Sequence, residues 1–300
     1  MPRALLAVLL TLAVAAGCAG RAAAGGFTGG KLDVVTAFYP LQFLSERIGG
    51  DTVTVTNLTK PGAEPHDVEL NPRQVAQVAD AGLAVYLKGF QPAVDDAVAQ
   101  EAKDRSFDVS SVVDLLPYSG EAAESEDGAH DPHVWLDPVR FSAIAGALGE
   151  RLARADPVHA ADYRARAASL RQELKSLGDQ YAASLATCQR RELVTSHEAF
   201  NYLATRYGLT QIGITGISPE AEPSPRRLAE VAAQARATGT TTIFFETLVS
   251  PKVAETIARE VGARTAVLDP LEGLTDRSAD YFSVMRANLA ALTTALGCTT

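Results

Sequence analysis

After Asp156-Pro157, thirty residues run to Thr187 without a further proline and with a single glycine, Gly178. Asp156 suits an N-cap and Pro157 the first helical position, where its missing N–H costs nothing. Leu170, Leu174, Leu177, Tyr181 and Leu185 recur at spacings of three and four, which draws one apolar stripe along a helix. At 1.5 Å per residue such a helix is roughly 45 Å long, well beyond the usual helix of a globular domain. Its simplest use is as a spine that joins two lobes.

The sequence on either side fits lobes of one kind. Before the spine, apolar or β-branched runs at residues 32–37, 52–58 and 83–87 alternate with helical spacing at 40–48, 72–80 and 91–103. Gly49-Gly50 stops the first helix and Asn71-Pro72 opens the second. After the spine, strands are expected at 192–195, 209–214, 241–245 and 265–268, with helices at 226–238, 251–261 and, closing the chain, 274–296. Alternation of this sort gives parallel, helix-covered sheets. The expected fold class is therefore α/β: an N-terminal lobe over 31–155, a linking spine helix over 156–187 and a C-terminal lobe over 188–300.

Residues 1–18 stand apart. A positive charge at Arg3, an apolar stretch from Ala4 to Ala16 that is too short to span a bilayer, and the small residues that follow read as an export signal. Ala15-Ala16-Gly17-Cys18 resembles a bacterial lipobox, which would make Cys18 the lipidated first residue of the mature chain. Ala15 stands where that pattern prefers Leu, so cleavage after Ala22-Ala23-Ala24, giving a periplasmic or secreted protein, is the alternative. Residues 19–30, rich in Ala and Gly, read as a flexible tether. Cysteine usage agrees with export: apart from Cys18 only Cys188 and Cys298 remain, and in an oxidising compartment a pair is expected to form a disulfide, the other reading being two buried thiols. Such a bond would contribute on the order of 3 to 5 kcal/mol in the chain-entropy model.

A formal charge of −9 and a pI near 5.1 argue against a nucleic-acid partner and suit a surface that tolerates cations. Of five histidines, His133 lies in the bend Asp131-Pro132-His133-Val134-Trp135, directly before a helix start at Asp137-Pro138. Alone it does not decide between a metal ligand and a buried imidazole satisfied by a backbone group. His66 ends the polar loop that follows the second strand, His197 follows the first strand of the second lobe, and Asp269 follows its last. Open α/β sheets bind ligands beyond the carboxyl ends of their strands. Half-sites facing each other across the lobes would supply three imidazoles and a carboxylate, enough for tetrahedral Zn²⁺. His159, early on the spine, reads as a surface residue, and residues 118–131, with Glu121, Glu124, Glu126, Asp127 and His130, as a mobile acidic connector.

The segments EPHD (64–67), DPHVWLDP (131–138), LVTSHEAFNYLA (193–204), FFE (244–246) and LDPL (268–271), in this order with the spine between the second and third, resemble the zinc- and manganese-binding substrate-binding proteins of ABC importers. The resemblance covers nearly the whole chain beyond the export signal. It implies two α/β lobes on one rigid helix, a metal in the cleft between them held by His66, His133, His197 and Asp269, and Glu246 behind the ligands. It further implies Zn²⁺ as transported ligand, an ABC permease as partner, a metallochaperone as a further one, a monomer, and a cell-surface lipoprotein held to the membrane by its lipid. Many zinc members carry a histidine-rich loop before the second ligand, where this chain has an acidic one with His130 alone. Three imidazoles favour zinc over manganese. The rival readings are a manganese or iron member of the family, a metal-binding adhesin, and a zinc hydrolase; no HExxH segment is present, and four protein ligands would leave no position for a catalytic water.

Overall fold

The computed structural model describes residues 26–118, 130–276 and 278–299. The export signal with Cys18, the tether up to residue 25 and residues 119–129 of the acidic connector lie outside them.

The N-terminal lobe is a single sheet. β1 (Phe27–Thr28) and the head of β2 (Lys31–Thr36) pair antiparallel around Gly29-Gly30. Both glycines have positive φ, 59° and 82°, as a two-residue hairpin turn of this kind requires. The chain is thus already part of the sheet at Phe27, and the expected tether to Gly30 is too long. α1 (Tyr39–Gly49), β3 (Val53–Asn57), α2 (Pro72–Asp80), β4 (Leu83–Tyr86), α3 (Pro92–Ala97) and β5 (Ser106–Asp108) follow. β3 and β4 flank β2 in parallel, and β5 extends the sheet beyond β4. Asn71 caps α2 through its side chain while Gln74 reaches back to the Asn71 N–H, a reciprocal capping box. The helix expected to 103 changes to a π turn at Val98–Ala102 and a 3-10 turn at Lys103–Arg105.

α4 (Pro138–Ala155) starts at Asp137, whose carboxylate accepts from the N–H groups of Val139 and Arg140. Asp156 does not cap the spine with its side chain. Its Oδ2 instead accepts from Nδ1 of His159 at 2.6 Å and Oη of Tyr163 at 2.8 Å, and a 3-10 turn over Pro157–His159 precedes the spine proper, α5 (Ala160–Leu185). Its 26 residues amount to about 39 Å. All five residues of the expected stripe are buried, packed toward α1, α4, α6 (Asn201–Tyr207) and α9 (Tyr281–Leu296). Gly149 is what lets α4 come so close: a Cβ there would lie 2.6 Å from that of Ala167.

The C-terminal lobe contains β6 (Glu192–Thr195), α6 (Asn201–Tyr207), β7 (Thr210–Gly213), α7 (Pro225–Ala237), β8 (Thr242–Phe245), α8 (Lys252–Val261), β9 (Arg264–Val267) and then α9. Its four strands are parallel in the order β7-β6-β8-β9. The last helix starts at Tyr281, not near residue 274, because Asp280 and Ser283 form a second capping box.

One apolar core runs through both lobes. Tyr281 stacks on Phe43 and lies against Phe141, and its Oη donates to the Trp135 carbonyl at 2.7 Å. Trp135, 1% exposed, in turn donates Nε1–H to the Pro270 carbonyl at 2.7 Å. The segment that carries His133 is thereby bonded to the lobe opposite. A disulfide between Cys188 and Cys298 ties the end of the spine to the end of α9. Among the described residues no helix is long and apolar enough to cross a membrane.

Candidate metal centre

Four polar loops meet where the lobes face each other. His66 sits in the loop after β3, held from beneath by buried Gln91, whose Nε2 donates to the Pro65 carbonyl at 2.9 Å and to Thr59 Oγ1 at 3.1 Å. The His66 N–H donates to Glu64 Oε1 at 2.9 Å, and its ring stands edge-on to Phe90. His133 is aimed by one carboxylate oxygen: Asp131 Oδ1 accepts both its N–H at 2.9 Å and its Nδ1–H at 2.8 Å. His197 follows β6, and its Nδ1 donates to Glu246 Oε1, just past β8, at 2.8 Å. The same oxygen accepts from Ser196 Oγ at 2.6 Å. With Nδ1 of His133 and His197 occupied by carboxylates, each ring presents Nε2 to a common point, the arrangement in which a second carboxylate fixes tautomer and direction of a ligating imidazole.

The carboxylate at that point belongs to Glu272. Its Oε1 lies 3.1 Å from Nε2 of His66, 2.8 Å from that of His133 and 3.3 Å from that of His197. Nε2 of His133 and of His197 are 3.4 Å apart. A tetrahedral ion with bonds of 2.0–2.1 Å has ligand atoms roughly 3.3 Å from one another, and the four candidate ligand atoms here lie within 4.8 Å of one another, close enough to gather around one ion. His66, His133, His197 and Glu272 are the one group of potential metal-holding side chains found among the described residues.

Of the four residues expected from sequence, the structure thus brings His66, His133 and His197 together and leaves Asp269 outside. The Asp269 carboxylate is bonded locally, Oδ1 accepting from the Leu271 N–H at 2.7 Å and Oδ2 from Thr247 Oγ1 at 2.9 Å. Leu271 is the one non-glycine residue with positive φ, 59°, among the described residues. That conformation costs an L-residue on the order of 1–2 kcal/mol, and it turns the chain so that the next side chain, not that of Asp269, enters the cluster. Nothing in Asp269-Pro270-Leu271-Glu272 as a string announces a left-handed leucine. Glu246 stands behind His197. His130 pairs through its backbone with Pro117, and His159 with Asp156, both away from the cluster.

The electrostatics are those of a site built for a cation. Burial alone would raise the Glu272 pKa, but the charge of His197 and hydrogen bonds from all three imidazoles hold it well below the usual carboxylate range. Burial would lower the pKa of His197, yet the charges of Glu246 and Glu272 push it well above the ordinary imidazole value. His133 is raised likewise: burial opposes, and hydrogen bonds to Asp131 and Glu272 prevail. His66 goes the other way because its burial outweighs Glu272. Burial, and next the charge of Glu272, push Glu64 up to about 8. The second oxygens of Glu272, Glu246, Asp131 and Glu64 are buried without a hydrogen-bond partner. A divalent ion among the four central groups would take the place of the protons they share and compensate this concentration of carboxylates.

Parallel-sheet lobes on one long helix, with three imidazoles and a carboxylate converging between them, define a bilobal metal-site protein. The family model described as "Zinc-uptake complex component A periplasmic" (ZnuA) matches residues 34–295, and the chain belongs to that family. It is 34% identical over 302 residues to the "High-affinity zinc uptake system protein ZnuA" of Bacillus subtilis, covering 96% of this chain and 94% of that one. To the "Zinc-binding lipoprotein AdcA" of Streptococcus pneumoniae it is 37% identical over 278 residues, covering 88% of this chain and 55% of the relative. The chain thus spans little more than half the length of the streptococcal relatives it matches. Among solved structures, the Zn(II)-bound ZnuA-like domain of S. pneumoniae AdcA superimposes with a TM-score of 0.77 at 36% identity, covering 89% of this chain and 99% of that one.

Proposed function

We propose that this protein captures Zn²⁺ outside the cytoplasm and delivers it to the membrane permease of an ABC importer, with His66, His133, His197 and Glu272 as the four ligands. The observation that carries the reading is the spacing of the three Nε2 atoms about Glu272 Oε1, 2.8–3.3 Å, together with the carboxylates behind His133 and His197. Names of relatives that specify zinc binding and zinc uptake support it. Four protein ligands complete a tetrahedral shell and leave no position for an activated water, which favours a carrier over a hydrolase. Three imidazoles against one carboxylate favour zinc over manganese.

Lipidation of Cys18 would hold the protein at the outer face of the membrane, in keeping with the lipoprotein named among its relatives. The carrier would work as a monomer, the two lobes offering the permease a single surface; a metallochaperone is a further partner of the same reading. Deleting the gene tests the role. Cells should stop growing, and stop accumulating ⁶⁵Zn, when zinc is limiting, and should recover with added zinc but not with added manganese. Unchanged zinc uptake by the deletion strain in a background without other zinc importers would overturn the transport reading.

A further inference from the structure

Both oxygens of Asp269 and both of its backbone groups are hydrogen-bonded, to its own turn, to α9 and to the loop after β8. Asn288, 2% exposed on α9, accepts the Asp269 N–H through Oδ1 at 2.9 Å and donates Nδ2–H to the Asp269 carbonyl at 2.7 Å. Oδ1 of Asp269 holds the Leu271 N–H, Oδ2 holds Thr247 Oγ1, and the intervening Pro270 carbonyl accepts from Trp135. Leu271, fully buried, keeps its φ of 59° inside this frame. A left-handed leucine persists only where its surroundings over-determine it, and such strain gathers at sites whose geometry matters. What the strained turn delivers is the Glu272 carboxylate, 0% exposed and within 3.3 Å of all three imidazoles.

We propose that Asp269 is a positioning residue for metal capture: with Asn288 it locks the left-handed turn at Leu271 that aims Glu272 at the imidazoles, and does not touch the ion itself. This rests on the reading of the four-residue cluster as a metal site. Without the Asp269 carboxylate, the buried Leu271 N–H loses its partner and the leucine relaxes toward negative φ. The following residue rotates with it, and Glu272 leaves the cluster. An asparagine at 269 still offers Oδ1 to Leu271. A metal ligand and a turn-holder therefore respond differently to the same pair of substitutions.

The test measures zinc affinity by competition with a chromophoric chelator, and the visible spectrum of the Co²⁺-loaded protein, which reports tetrahedral coordination directly. It uses wild type, Asp269→Asn, Asp269→Ala, Thr247→Val and Glu272→Gln. Asp269→Asn should keep the wild-type cobalt spectrum and bind zinc nearly as well. Asp269→Ala should lose about 10- to 100-fold in affinity, as removal of groups supporting a ligand does, with a weakened tetrahedral spectrum. Thr247→Val removes one surface hydroxyl from the frame and should shift the spectrum the same way by less, which keeps the question open to measurement if Asp269→Ala fails to fold. The proposal is overturned if Asp269→Asn loses as much zinc affinity as Glu272→Gln, since Asp269 is then a ligand. It is overturned equally if Asp269→Ala, or in its absence Thr247→Val, leaves affinity and spectrum unchanged. Wild type that gives no tetrahedral cobalt spectrum would instead refute the metal site, and this inference with it.

Discussion

His197 reaches the centre of the site from a position directly after β6, with Glu246 fixing one ring nitrogen and Glu272 facing the other. A glutamate there keeps four potential ligands but replaces a borderline-soft nitrogen by hard oxygen, and it brings a charge next to Glu246 and Glu272. The loaded four-ligand shell falls from a formal +1 to zero. His197→Glu should therefore lose more Zn²⁺ affinity than Mn²⁺ affinity in parallel titrations, because imidazole suits zinc and carboxylate suits manganese. Equal losses for the two ions would mean that His197 does not contribute to the choice. The three histidines were legible in the sequence because each falls just past a strand or at a loop–helix junction, where an α/β sheet presents its ligands. Glu272 was not. Two acidic side chains three residues apart compete for one place, and the choice is made by the sign of φ at Leu271, which no residue type in that string encodes.

At the scale of elements, the start of the spine carries a pH dependence. Burial alone would raise the pKa of Asp156, but hydrogen bonds from His159 and Tyr163 and the charge of His159 outweigh it and hold the carboxyl below its usual range. A folded-state pKa below the unfolded one contributes stability that is present above the unfolded value, near 3.9, and is lost as pH falls through the folded one. Asp156→Asn should lower stability at pH 7 by about 1.5–3 kcal/mol, the range for a hydrogen bond to a charged group. Thermal melts should show this deficit shrinking at pH values below the unfolded carboxyl pKa; a deficit independent of pH would assign the effect to packing. Gly149→Ala tests the contact of α4 with α5. A methyl 2.6 Å from Ala167 Cβ forces the helices apart, and a loss of about 1–3 kcal/mol is expected in urea denaturation. No loss would show that the helices can separate freely. Elements of this length, the spine above all, were readable from the absence of proline and the spacing of the leucines. β1 and β5, of two and three residues, were not, because so few residues carry no period. The start of α9 was misplaced at Leu274, although residues 275–278 are polar and the helix is opened by the capping pair Asp280 and Ser283.

The molecule as a whole is built to keep its lobes in place. One of its two apolar clusters spans both lobes, the spine is one helix without an internal break, and Trp135, Tyr281, Tyr202 and Arg206 bond one lobe to the other. A continuous packed helix is a poor hinge, and rearrangement on metal loading falls to the loops that end in ligands, that of His66 first, since its side chain alone of the four is as much as 9% exposed. Small-angle scattering with and without zinc should give the same radius of gyration within error. A contraction of the size produced by hinged lobes closing on a ligand would contradict this.

His66, His133, His197 and Glu272 are proposed to form a zinc-selective site between these lobes. The most direct measurement is competition for the purified mature protein between Zn²⁺ and Mn²⁺ under a metal buffer, read as bound metal by elemental analysis, for wild type and for Glu272→Gln. Wild type should hold one zinc per chain against a large excess of manganese, and Glu272→Gln should show a marked loss of zinc. Preferential manganese binding by wild type, or zinc binding untouched by Glu272→Gln, would contradict the proposed site.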